Sequence, residues 1–112
     1  MSFTIERVPA LSFLDAEYKE NKYIVVHYFG GLAPARNVAI WFQNPASAAS
    51  ANYVLDEGPV VYECVRPEHV AWHCGDSGIG THKALCTNYN SIGIEVRPFK
   101  RNEGSQSAYD PV

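Results

Sequence analysis

Lys22-Tyr23-Ile24-Val25-Val26-His27-Tyr28-Phe29-Gly30-Gly31 is the run on which the fold turns. Tyr23 to Val26 are all β-branched or aromatic, unbroken by any charge, and the Gly30-Gly31 pair closes the run; this is the pattern of a buried strand entering a loop. A strand of that kind needs a sheet around it and another layer to cover it.

Downstream, Pro34 is suited to the start of a helix, and Ala35, Val38, Ala39 and Phe42 follow at i, i+3, i+4 and i+7. They make one apolar face of an amphipathic helix that ends near Asn44-Pro45. Small residues from Ala46 to Ser50 form a loop. Asn52–Leu55 and Val60–Val65 then read as two strands of a β-hairpin joined by Asp56-Glu57-Gly58-Pro59. Pro67–Ala71 has the length of one helical turn, and the stretch from His73 to Asn90 is a long Gly-, Thr- and Asn-rich loop of the kind that serves function. Ile92–Val96 is a second buried-type strand, and Gly93 within it leaves room for another backbone or a ligand. Upstream, Met1–Asn21 is a lead-in strap with a short helix expected around Phe13–Tyr18. From Arg97 the chain turns polar. Together these elements predict an α/β fold, a mixed β-sheet with a helix packed on it, in a single domain over 1–112: lead-in 1–21, core 22–96 and polar tail 97–112.

The chain has 112 residues, of which 46% are hydrophobic and 19% charged, enough for one core and too few for two independent modules. A net charge of -3 and basic residues scattered apart from Lys100-Arg101 argue against nucleic acid as a partner. No apolar run approaches the roughly 20 residues of a membrane span. Glu6 and Arg7 break the layout of a signal peptide, so synthesis and folding in the cytoplasm are expected. Three cysteines, Cys64, Cys74 and Cys86, cannot all pair within one chain, and buried thiols are the simplest reading. Cys74 and Cys86, which bracket the polar loop, leave a bridge or metal pair as the alternative.

Four places can carry chemistry. His27 stands at the end of a buried-type strand before a loop, where α/β sheets meet ligands, although a strand-end histidine also serves as a hydrogen-bonded structural residue. Glu95 shares a strand face with Gly93, so its carboxylate faces a gap and is suited to a general base; the alternative is an edge glutamate in water. Trp72-His73 opens the long loop with a flat apolar surface beside a titratable ring, fit for a sugar or peptide or for anchoring the loop. His69, His73, Cys74, His82 and Cys86 lack the close spacing of a structural zinc site. No Gly-x-Ser-x-Gly elbow is present, which leaves serine-nucleophile schemes without support.

Five segments in order resemble the type 2 N-acetylmuramoyl-L-alanine amidases, whose fold is shared with peptidoglycan recognition proteins. They are Tyr23-Ile24-Val25-Val26-His27-Tyr28, Ser50-Ala51-Asn52-Tyr53-Val54-Leu55-Asp56, Val61-Tyr62-Glu63-Cys64-Val65, Ala71-Trp72-His73-Cys74-Gly75 and Asn90-Ser91-Ile92-Gly93-Ile94-Glu95. The resemblance implies a zinc enzyme that cuts between N-acetylmuramic acid and the L-alanine of the stem peptide. In it His27 is a zinc ligand, Glu95 the catalytic carboxylate that takes a proton from the zinc-bound water, and Asn52, Trp72 and His73 contact substrate. Asn52 stands where many relatives carry histidine.

The resemblance covers the front of the family domain. The family's later helix and its further metal ligands have no counterpart before Val112, so the fold is expected to be truncated on its C-terminal side. Three accounts follow: a fragment of a longer enzyme, a chain completed by a partner, or a domain that binds the wall without cutting it. An uncovered apolar sheet face favouring self-association or a complementing chain is expected in each. A phage or prophage lysin, a cytosolic enzyme that recycles wall fragments, a peptidoglycan-binding module and an interaction domain of the same fold are the functional alternatives.

Overall fold

The computed structural model describes residues 2–17, 19–75 and 85–98. Its centre is a five-stranded mixed sheet in the order β1-β5-β4-β7-β3. The strands are β1 (Thr4–Arg7), β3 (Tyr23–Tyr28), β4 (Tyr53–Leu55), β5 (Val60–Glu63) and β7 (Ser91–Val96). β3, β7 and β4 run parallel; β5 is antiparallel to β4, and β1 is parallel to β5. The fold class read from the sequence is thus the observed one. β2 (Phe13–Leu14) and β6 (Val70–Ala71) form a separate antiparallel pair.

The decisive run is a strand, as read, but not a buried one: it is an edge strand with β7 as its sheet neighbour, and its side chains alternate between half-buried and exposed. Side chains alternate across it, so Tyr23, Val25 and His27 share a face with Ser91, Gly93 and Glu95, while Ile24, Val26 and Tyr28 point the other way. α1 (Ala35–Trp41) lies over β4 and β5 on the first of these faces. Its apolar stripe is the predicted one: Ala35 and Ala39 are fully buried and Phe42 nearly so, with Val38 packed at the margin. Val8, Val54, Cys64, Val65 and Ala71 complete the core between helix and sheet.

Pro34 precedes the helix without any side-chain cap of its own. Asp56, in the β4–β5 turn, supplies one from a distance: its Oδ2 accepts from the Ala35 N–H at 2.8 Å and its Oδ1 from the Gly58 N–H at 2.8 Å. One carboxylate therefore shapes the hairpin turn and ties it to the helix start. The chain after the helix makes a 3-10 turn over Pro45–Ser47.

Two local expectations are corrected. Phe13–Leu14 is strand, not helix, because a helix of some six residues carries a nucleation cost that a ready ladder partner avoids; Tyr18 lies outside the described residues. Pro67–Ala71 ends in strand β6, since Val70 and Ala71 are almost wholly buried against β2 and the core; only a turn closed by His69 N–H to Arg66 C=O remains of the expected helical turn. Of the long loop, 76–84 lies outside the described residues, and Asn88–Asn90 forms a 3-10 turn leading directly into β7. Lys100-Arg101 and most of the polar tail, 99–112, are also outside.

Candidate functional site

The parallel register sets His27 beside Glu95, each one residue before the carboxyl end of its strand. Parallel strands of α/β sheets present ligand-contacting side chains at this end. Both side chains lie on the face that carries α1, and both are half-buried. Burial raises the Glu95 carboxyl above its ordinary range and lowers the His27 imidazole below its own, because each charged form loses hydration. The site therefore holds a carboxylate ready to accept a proton beside a ring inclined to stay neutral.

Gly93 does leave a gap on this face, and the protein fills it from its own chain. The His73 ring lies directly over Gly93, where a Cβ would overlap its ring carbons. His73 Nδ1 is 3.0 Å from His27 Nε2, and His73 Nε2 is 3.0 Å from Ser91 Oγ. The two imidazoles meet edge to face, 5.2 Å between centroids. Burial first, then the neighbouring His27 and Lys19, pushes His73 down to about 4. Its backbone is fixed as well, since Asn88 Oδ1 accepts from the N–H groups of His73 and Cys74 at 3.1 and 2.9 Å.

Beside Glu95 opens a cavity of about 440 Å³ between the strand ends and α1, walled by Gly30, Asn37, Val38, Trp41 and Phe42. Trp41 is half-exposed and brings an aromatic surface to this cleft. Sequence reading missed Asn37 and Trp41; both fall off the apolar stripe of α1, and a large aromatic residue there was the available signal. Ser91 was missed too, as a lone serine opening a strand carries no pattern.

Trp72 is anchored through its backbone, donating to Ser50 Oγ at 3.0 Å and accepting from Ser50 N–H at 3.0 Å, and its ring meets Tyr89 edge to face at 6.1 Å. Asn52 lies elsewhere. It is 0% exposed, its Nδ2 donates to the carbonyls of Val65 and Arg66, and its Oδ1 accepts from the Gly93 N–H. It is a strut joining β4, β7 and the segment after β5, with no surface open to the cleft. The structure thus gathers His27, His73 and Glu95 and leaves Asn52 inside.

Among the described residues no group of three or more His, Cys, Asp or Glu side chains could hold a metal ion. The described residues therefore do not fit a complete zinc centre, and His82 lies outside them. No disulfide joins Cys64, Cys74 and Cys86; the Cys74 thiol meets Asn88 Oδ1 at 3.1 Å. No described helix is long and apolar enough to cross a membrane.

Comparison with known proteins places this geometry. A solved structure titled "Mutant endolysin from Bacillus subtilis" superposes with a TM-score of 0.65 at 25% identity, over 87% of this chain and 62% of the other. "Structure of the catalytic domain of XlyA" superposes at 0.63 with 23% identity, over 85% and 60%, and attests the fold. The chain thus spans about three-fifths of the length of these neighbours. No curated protein matches it. The family model described as N-acetylmuramoyl-L-alanine amidase matches residues 17–110, and the chain belongs to that family.

Proposed function

We propose that this chain acts on bacterial peptidoglycan, cleaving the amide between N-acetylmuramic acid and the L-alanine of the stem peptide, as a lysin of phage or prophage type. The pairing of His27 with Glu95 at the carboxyl ends of two parallel strands, with Glu95 lining a cleft beside α1, carries this reading. Glu95 is the proton acceptor for the attacking water and returns that proton to the leaving amine; its burial raises its basicity toward what the task needs. Trp72 and Trp41 offer flat apolar surfaces for the glycan or the peptide, and His73 supports the site from beneath.

Zinc is the cofactor that family membership favours. His27 is the ligand this chain offers among the described residues, and the others have to come from outside them. Zinc stoichiometry by elemental analysis, with His27→Ala alongside, tests this: near one zinc per chain, lost in the variant, supports a metal site, and none counts against it. Glu95→Gln should lower release of stem peptide from purified peptidoglycan by about 10²- to 10⁴-fold, the usual worth of a general base. Unchanged hydrolysis would sink the role given to Glu95.

The lack of a three-ligand group among the described residues favours a second reading, a module that binds the wall without cutting it. Binding to insoluble peptidoglycan without any release, in wild type and Glu95→Gln alike, would decide for it. A partner is proposed on the far side of the sheet, where Ile24, Val26 and Tyr28 are exposed: a second copy or a complementing chain.

A further inference from the structure

Two of the hydrogen bonds around His73 can run in only one direction. Ser91 Oγ is 2.5 Å from the Thr87 carbonyl, and a carbonyl cannot donate, so the serine proton points there. That carbonyl is held in place: Thr87 opens the 3-10 turn with a reciprocal cap in which Thr87 Oγ1 accepts from Tyr89 N–H and Asn90 Oδ1 accepts from Thr87 N–H. With its proton committed, Ser91 Oγ faces His73 Nε2 as an acceptor, and His73 must carry its proton on Nε2. In the neutral ring that placement leaves Nδ1 as a lone pair. His27 Nε2, 3.0 Å from it, is then the donor.

From this chain of contacts we infer that Ser91 and His73 are positioning residues that lock His27 as the Nε2–H tautomer and leave Nδ1 as its unprotonated nitrogen. The order is Thr87 C=O, Ser91 O–H, His73 Nε2–H, His27 Nε2–H, each group donating to the one before it. Gly93 belongs to the device because the absence of a side chain lets the His73 ring lie between the two strands. Asn88 belongs to it because it fixes the backbone from which that ring hangs. His27 consequently meets a proton, an electrophile or a polar group of substrate through Nδ1 alone. A free histidine would interchange the two tautomers; here the fold makes the choice before anything binds. The use of that lone pair in amide hydrolysis rests on the proposed function, whereas the tautomer itself does not.

Two-bond ¹H–¹⁵N correlation spectra of the uniformly labelled full chain at neutral pH test it directly, without substrate or turnover. The expected pattern is protonated Nε2 and unprotonated Nδ1 for both His27 and His73. Protonation of His27 at Nδ1, or averaged shifts for its two nitrogens, would overturn the inference even if the chain cuts peptidoglycan. The same spectra of Ser91→Ala test the relay, because His73 then loses its reason to prefer Nε2–H and can donate to His27 instead. The tautomer ratio of His27 should fall by about tenfold, the worth of roughly one net hydrogen bond. His73→Gln keeps an acceptor toward His27 and should restore the Nε2–H form more fully than His73→Leu. A His27 ratio unmoved by Ser91→Ala in a folded chain, or equal in the two His73 variants, would remove these residues from the role. Failure of hydrolysis with the expected spectra would instead count only against the amidase reading.

Discussion

Glu95 is a carboxyl group that folding prefers uncharged, and this gives its replacement a definite sign. Its folded pKa lies above the unfolded one, so the stability it contributes is present at low pH and is lost as pH rises through the raised value. Glu95→Gln keeps the shape and removes the charge. Its thermal unfolding should match wild type below the ordinary carboxylate range and exceed it at neutral pH; a variant less stable at pH 7 would show that the carboxylate has a compensating partner. Gly93→Ala should cost about 1–3 kcal/mol in denaturant unfolding, because the added methyl group and the His73 ring compete for one space. Cys64 is 1% exposed and burial pushes its thiol up to about 12, so alkylation at pH 8 should reach it only after denaturation. Native-state labelling of Cys64 would mean that the core opens near β5.

The turn between β4 and β5 shows how elements hold one another. Asp56 caps a helix that begins 21 residues earlier in sequence, and Asp56→Ala should destabilise the chain by about 1 kcal/mol, read as a lower urea midpoint, with a carboxamide at that position recovering part of it. No change would show that solvent caps α1 equally well. This long-range cap was invisible in the sequence, where Asp56 reads only as a turn residue. The elements that were legible are those whose own residues determine them: the unbroken run Tyr23–Tyr28, the 3.6-residue periodicity from Ala35 to Phe42, the hairpin around Gly58, and the strand ending in Glu95. β2 and β6 were not, since two residues carry no period and each is strand only because the other is there. His27 and Glu95 could be placed at strand ends, yet their adjacency is a matter of register between strands far apart in sequence. Asn52 was assigned to substrate through the family resemblance alone, and only the structure supplies the buried partners that satisfy its amide.

At the level of the whole molecule the sheet has two unlike sides. One carries α1, the core and the site. On the other, Ile5, Ile24, Val26 and Tyr28 are 57%, 66%, 56% and 49% exposed, an apolar surface on two edge strands and so a liability for a protein alone in water. Sedimentation velocity over a range of concentrations should show self-association, reduced in Val26→Glu. A concentration-independent monomer with a cooperative, high melting transition would mean that this face is left bare without penalty.

β3 touches the rest of the sheet through β7 alone, and β7 is the last of the described strands to be made. A growing chain that has not yet produced Ser91–Val96 can assemble β1, β5 and β4 with the helix, but has nowhere in the sheet to put Tyr23–Tyr28. His27 waits, with its strand unzipped, while about sixty further residues are synthesised. The ladder between β3 and β7 spans most of the described sequence, a separation that slows closure. The candidate site is thus completed by one strand, whose arrival brings Ser91, Gly93 and Glu95 to the histidines together.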